Sequence, residues 1–282
     1  MSFVTRNGTE TGPIGQGTWY LGEHAETFQQ ELSALRAGLD RGMNLLDTAE
    51  MYGGGAAERL VGQAIQPYDR ETLYLVSKVY PHNAGRQNIR HSCQASLKRM
   101  GTEYLDLYLL HWRGSIPLAE TVECMERLKA DGLIRDWGVS NLDLDDMNEL
   151  FRVPGSGGCL TDQVLYHLGS RGIEYDLLPA LQARGLSVMA YCPLAQAGQL
   201  RRGLLNHPAV AETARNHSAT PSQVLLAFLL TRPGVVPIPR SSRAEHTAEN
   251  AGAANLRLTD QDLARLDAAF PAPTHRVPLD MQ

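Results

Sequence analysis

Four side chains have the types and spacings needed to move one proton. Asp47 closes the apolar run Leu45–Leu46, and Tyr52 follows five residues later. Lys78 lies 31 residues beyond Asp47, and His111 another 33 beyond Lys78, each at the end of its own apolar run. An aspartate buried alone is expensive, so Asp47 needs a cation, and Lys78 is the candidate. A tyrosine with its ordinary pKa of ~10 donates poorly at neutral pH unless its phenolate is stabilised, which the Lys78 ammonium would do. His111 can hydrogen-bond a substrate oxygen beside Tyr52 and fix its orientation. Such a set would protonate a carbonyl oxygen while hydride reaches the carbon. Singly, each residue has an ordinary structural use in an ion pair, a core or a packed face. Chemistry requires that they converge.

The elements that must bring them together recur along the chain. A helix-like run ends in glycine, a short apolar run follows, and that run ends in a polar residue. The pattern is read in ALRAGLDRGMNLLDT, SLKRMGTEYLDLYLLH, RLKADGLIRDWGVSN, ALQARGLSVMAY and FLLTRPGVVPIPRS. Gly42, Gly101, Gly132, Gly185 and Gly234 are the expected helix stops. Phe28, Leu32, Leu35 and Leu39 fall on one helical face, and Thr220-Pro221-Ser222-Gln223 has capping-box spacing. With IGQGTW, LYLVSK and LTDQVL there are eight candidate strands, ending near Thr18, Asp47, Lys78, His111, Ser140, Gln163, Tyr191 and Arg240. From Asp47 to Ser140 the ends are 31, 33 and 29 residues apart, the length of a βα unit.

Eight strands alternating with helices imply a parallel (β/α)8 TIM barrel, and no linker or composition shift divides residues 1–282, so a single domain is expected. In such a barrel the strand carboxyl ends surround the active site, where Asp47, Lys78 and His111 would meet. Two helices are expected near 207–217 and 221–231, and VPGSGG at 153–158 reads as a flexible surface loop. The triple glycine Gly53–Gly55 reads as a turn before a helix around Ala57 to Ile65. A dinucleotide fingerprint of the doubly wound kind is missing, since GQGTWYLG spaces its glycines G-x-G-x4-G.

Composition narrows the class. With 43% hydrophobic and 20% charged residues, the chain can bury a large core. A net charge of −5 with no basic run gives no reason to expect nucleic acid. The amino terminus lacks the apolar segment of a secretory signal, and no run approaches a membrane span. Cys93, Cys124, Cys159 and Cys192 form no CxxC pair and read as reduced thiols, which suits the cytoplasm. No HExxH or cysteine cluster calls for a metal, and His207 and His217 are expected on a surface helix.

The words GQGTW, LLDTAEMYG, VSKV, LLHW, WGVSN, DQV, MAYCPLAQ and IPRSSRAEHTAEN, in this order and spacing, resemble the aldo-keto reductase superfamily from end to end. The resemblance implies a nicotinamide cofactor, usually NADPH with NADH possible, bound extended without a Rossmann domain. It also implies that Asp47, Tyr52, Lys78 and His111 are catalytic, with Tyr52 the general acid in reduction and the base in oxidation.

Cofactor positions carry over by the same resemblance. Thr18 and Trp19 would lie beside the nicotinamide, with Asp47 below it. Ser140, Asn141 and Gln163 would bind the carboxamide, and Tyr191 would stack on the ring. Cys192, where the family often has serine, Pro193, Leu194 and Gln196 would border the pyrophosphate. Ile238, Arg240, Ser241, Arg243, His246, Glu249 and Asn250 would meet the adenosine end. There Arg240 and Ser241 would face the 2′-phosphate, and guanidinium suits phosphate geometry.

Closer similarity through LLHWRGSIPLAETVECMERLKADGLIRDWGVSN and MAYCPLAQAG points to the bacterial branch that includes methylglyoxal reductases. It implies small aldehydes and dicarbonyls as substrates, met by Trp19, Tyr52, His111 and Trp112, and the tail HRVPLDMQ reads as too short for a large lid. Oxidation of a sugar or alcohol, or a cofactor-binding regulatory role, are the alternatives. Nothing in the inferred site requires a second chain, which suits a monomer.

Overall fold

All eight apolar runs form strands in the computed structural model of the protein, which describes residues 10–195 and 199–282. The strands are β1 (Gln16–Gly17), β2 (Leu45–Asp47), β3 (Tyr74–Val79), β4 (Leu105–Leu110), β5 (Ile134–Ser140), β6 (Cys159–Leu165), β7 (Ser187–Tyr191) and β8 (Val235–Pro237). They pair in sequence order, each parallel to the next. Gly17 pairs with Arg240, and the Gly15 and Gly17 N–H groups donate to Pro237 O and Pro239 O at 3.0 and 3.1 Å. These bonds close the ring, so the chain folds as a (β/α)8 barrel and exposes no strand edge there. The closure is tight enough to need glycine: a Cβ on Gly17 would come within 2.8 Å of Ile238 O.

Helices wrap the ring: α1 (Ala25–Leu39), α2 (Ala56–Ile65), α3 (Ile89–Met100), α4 (Leu118–Ala130), α5 (Leu144–Leu150), α6 (Leu177–Ala183), α7 (Gln199–Leu205), α8 (Pro208–Asn216), α9 (Pro221–Leu230), α10 (Ala244–Gly252) and α11 (Asp260–Ala269). The capping box expected at Thr220 opens α9, with both reciprocal bonds present. The five glycines expected to stop helices all take positive φ. No helix among the described residues is long and apolar enough to cross a membrane.

Side chains alternate across each strand, and this parity positions the site. Leu45 and Asp47 point inward on β2, as do Tyr74, Val76 and Lys78 on β3. The apolar members of these rows pack with Leu107, Leu109, Met189, Val236 and Ile238 into the barrel's inner core. Each row then ends in a polar residue at the carboxyl rim. A larger cluster fills the space between sheet and helices, and there Val224 to Leu229 of α9 are buried together.

Two local expectations gain detail. His207 and His217 flank α8: His207 caps its start by accepting from the Ala209 N–H, and His217 Nε2 lies 2.7 Å from Asp262 Oδ2. Residues 153–158 are a surface turn with Pro154, Gly155 and Gly157 exposed; Ser156 alone is buried, its N–H donating to Val153 O at 3.1 Å.

Asp162 lies next to Gln163 on β6 and is fully buried. Neither carboxyl oxygen has a well-formed hydrogen bond among the described residues, and the neighbouring Leu142 N–H offsets only part of the cost of burial. Burial, with Asp146 and Asp143 nearby, holds its pKa well above the ordinary carboxylate range. The unfolded chain therefore loses this proton first, and binding fewer protons it gains on the native state as pH rises through that range. Asp162→Asn removes the titration. Its stability relative to wild type is expected to grow between pH 5 and pH 8, by about 2 °C or more in Tm. Paired thermal melts at the two pH values check this; a constant gap sinks it.

Candidate active site

Lys78 is fully buried, yet its ammonium is saturated. Nζ donates to Asp47 Oδ2 at 2.8 Å, to Thr48 O at 2.9 Å and to Tyr52 Oη at 3.0 Å. Asp47 uses its other oxygen to accept from Gln163 Nε2 at 2.7 Å. Tyr52 reaches this group from the loop after β2, where Gly53, Gly54 and Gly55 all adopt left-handed backbone. That turn reverses the chain into α2 and leaves the tyrosine ring against the barrel mouth. Because Lys78 donates to Tyr52 Oη, the phenolic hydrogen is free to point into the cavity.

His111 completes the group, its ring edge-on to Tyr52 with centroids 5.7 Å apart. Burial first, and then the Lys78 charge, push its pKa down to about 2, so the imidazole is neutral across the working pH range. A neutral imidazole donates one hydrogen bond. Its Nδ1 has no hydrogen-bond partner among the described residues.

Burial sets the direction of the Tyr52 pKa. Burial raises its pKa well above the ordinary phenol value, and the Asp47 charge adds to the rise. The Lys78 ammonium, donating to the phenol oxygen at 3.0 Å, holds it in place. Burial also pulls Lys78 below the ordinary ammonium value, against the opposing pull of Asp47.

These residues open onto a cavity at the carboxyl rim. Along one wall Ser140 Oγ donates to Gln163 O at 2.8 Å, and Tyr191 Oη donates to Asn141 Oδ1 at 2.8 Å. Asn141 Nδ2 donates in turn to His111 O at 3.2 Å. Thr18 Oγ1 donates to Asp47 O at 2.9 Å, tying β1 to β2 at the rim. Trp19 stacks toward Tyr52 at 6.2 Å. Cys192, Pro193, Leu194, Ile238 and Arg240 also line the cavity.

Other expected site residues lie elsewhere. Trp112 packs against His111 and Tyr80, at 4.9 and 5.9 Å between ring centroids, and is not part of the cavity lining. Ser241 bonds to the Arg243 backbone before α10, and Arg243 and His246 are exposed. Glu249 accepts from Thr220 Oγ1 at 2.6 Å, and Asn250 is buried. None of these last five lines the cavity among the described residues. Gln196 falls outside the described residues.

The cavity also gains residues that sequence reasoning missed. Tyr20 stacks on Trp19 at 4.6 Å with φ 63°, and Met51 and Arg201 complete the walls. Gln282 reaches the cavity from the tail, its Oε1 3.4 Å from Cys192 Sγ. Arg276 anchors that tail to Asp143, Asp145 and Asp176 at 3.7, 3.0 and 3.3 Å. The adjacency of Tyr20 to Trp19 was a usable signal; the tail carried none.

Comparison with known proteins agrees with this geometry. Residues 13–270 match the Aldo/keto reductase family. Methylglyoxal reductase YeaE of Escherichia coli is 54% identical over 268 residues, covering 95% of this chain and 94% of the relative. Glyoxal reductase of Bacillus subtilis is 31% identical over 264 residues, covering 93% and 90%. The crystal structure of an aldo/keto reductase from Klebsiella pneumoniae in complex with NADP and acetate superposes with a TM-score of 0.96, at 52% identity and full coverage of both chains. With the whole barrel and its rim matched in this way, the chain belongs to the aldo/keto reductase family.

Proposed function

We propose that the protein is an NADPH-dependent reductase of small aldehydes, ketones and dicarbonyls such as methylglyoxal, acting in the cytoplasm as one domain. The observation that carries this reading is the bond from Lys78 to Tyr52 beside a neutral His111, at the floor of the cavity. The relatives named above support the substrate class, and the Klebsiella structure supports the cofactor.

The residues present fit a nicotinamide dinucleotide. Tyr191 offers an aromatic face at the end of β7, and its hydroxyl is fixed by Asn141. Gln163 spends its Nε2 on Asp47, so its Oε1 is the atom left to accept from a carboxamide. Ser140 and Asn141 would complete that contact. The bound nicotinamide supplies the hydride. Tyr52 donates the proton at Oη to the carbonyl oxygen, and Lys78 holds the phenol in line. His111 donates a hydrogen bond to the same oxygen. Trp19 and Met51 line the site with apolar surface. In alcohol oxidation Tyr52 takes the proton back.

The test follows loss of NADPH absorbance with methylglyoxal and short aldehydes, and repeats it with NADH. Carbonyl-dependent consumption, faster with NADPH, is the expected result. Tight dinucleotide binding with no turnover of any carbonyl would overturn the reading and favour a regulatory role.

A further inference from the structure

Lys78 and Tyr52 are delivered by different segments, the first by β3 and the second by the turn after β2. A second buried carboxylate stands behind them, on the helix side of the sheet. Glu58, in the first turn of α2, is fully buried. Its Oε1 accepts from Ser77 Oγ at 2.6 Å, and its Oε2 accepts from Arg99 Nε of α3. Ser77 directly precedes Lys78 and so points to the opposite face of the strand. Arg99 Nη2 donates in addition to Ser96 Oγ at 3.1 Å.

The same guanidinium closes on the turn that carries Tyr52. A Cβ at Gly55 would come within 2.5 Å of Arg99 Cδ and 2.6 Å of its Nε, and Gly55 itself has φ 87°. Further along α2, a Cβ at Gly62 would meet the Met100 and Arg99 carbonyl oxygens at 2.8 and 2.9 Å. This close approach of α2 and α3 fixes the Arg99 backbone, while Glu58 fixes its side chain. Stability alone is a poor reason for the arrangement, because a buried ion pair gains little over apolar packing. Its partners are instead the segments that hold the reacting groups. Burial lowers the Lys78 pKa; Asp47 opposes this most, and Glu58 adds to the opposition.

We infer that Glu58 is a positioning residue for proton transfer, an assignment that rests on the reductase reading above. Ser77 ties it to the strand of Lys78, and Arg99 ties it to the turn of Tyr52. It thereby holds the phenol oxygen at its 3.0 Å from Nζ. Glu58 does not line the cavity and acts only through these neighbours.

Steady-state reduction of methylglyoxal by NADPH, run in H2O and in D2O beside an NADPH titration, tests this role. Glu58→Gln is expected to lower kcat roughly 10- to 100-fold, the scale of a catalytic group displaced by about 1 Å, with NADPH affinity unchanged. Its solvent isotope effect on kcat should rise, because transfer of the Tyr52 proton becomes the slow step. Arg99→Lys, which keeps the cation, should lose less. The double variant Glu58→Gln with Arg99→Met leaves no ion buried alone, so it reads the same loss where a single variant is unstable. It should be no slower than Glu58→Gln, since both residues serve one lock. Wild-type kcat in the double variant would overturn the assignment. So would a fall in kcat with an unchanged isotope effect, the mark of a general loosening of the fold. Wild-type protein without carbonyl turnover would instead overturn the reductase reading, and this assignment with it.

Discussion

Tyr52→Phe is expected to lower carbonyl turnover by roughly 10²- to 10⁴-fold, the usual contribution of a positioned general acid, while NADPH binding stays close to wild type. The reasoning rests on what the substitution leaves alone. The ring remains, so contacts with Trp19 and His111 persist. Lys78 loses one acceptor of three but keeps Asp47 and Thr48 O. What disappears is the hydrogen aimed into the cavity. Single-turnover and steady-state rates with methylglyoxal, alongside a dinucleotide titration, separate the two effects. Near-normal turnover would remove Tyr52 as the donor; loss of dinucleotide affinity would show that the substitution disturbed more than a proton.

Lys78→Met should cost far more than catalysis. It leaves the Asp47 carboxylate buried with Gln163 Nε2 as its remaining side-chain donor. Breaking a buried pair from one side costs about 3–5 kcal/mol, since the surviving charge has no counterion. For a chain of this size that is a drop in Tm on the order of 10 °C. The matching double variant, Lys78→Met with Asp47→Leu, removes both charges and should recover most of that stability while remaining inactive. Thermal melts of the single and double variants provide the check. A single variant as stable as wild type would show that the pair is not balanced in the way its geometry implies.

Much of the site was readable because a barrel strand alternates strictly between inside and outside. Once Leu45 and Asp47, or Val76 and Lys78, share a parity, the polar member must stand at the rim above an apolar row. Eight such endings specify where the residues meet without any knowledge of loops. Electrostatic sign was harder. The pKa of Tyr52 depends on how deeply the loop after β2 buries its ring and how near that brings Asp47, which strand parity does not describe. Residues delivered by connections were harder still. Arg201 and Gln282 reach the cavity through the path of α7 and of the tail, and no periodicity describes those paths. Glu249 is a residue of the expected type that also accepts from the Thr220 hydroxyl, a contact its sequence position does not announce.

The burial of Lys78 has a consequence for the chemistry of the whole surface. The chain contains only three lysines, Lys78, Lys98 and Lys129. Lys98 is exposed and Lys129 partly so, whereas Lys78 has all three ammonium hydrogens engaged inside the barrel. An amine-directed reagent can therefore decorate the other two without touching the reaction centre. It reaches Lys78 only when the strands part, so acylation at that one position is a chemical clock for opening of the barrel.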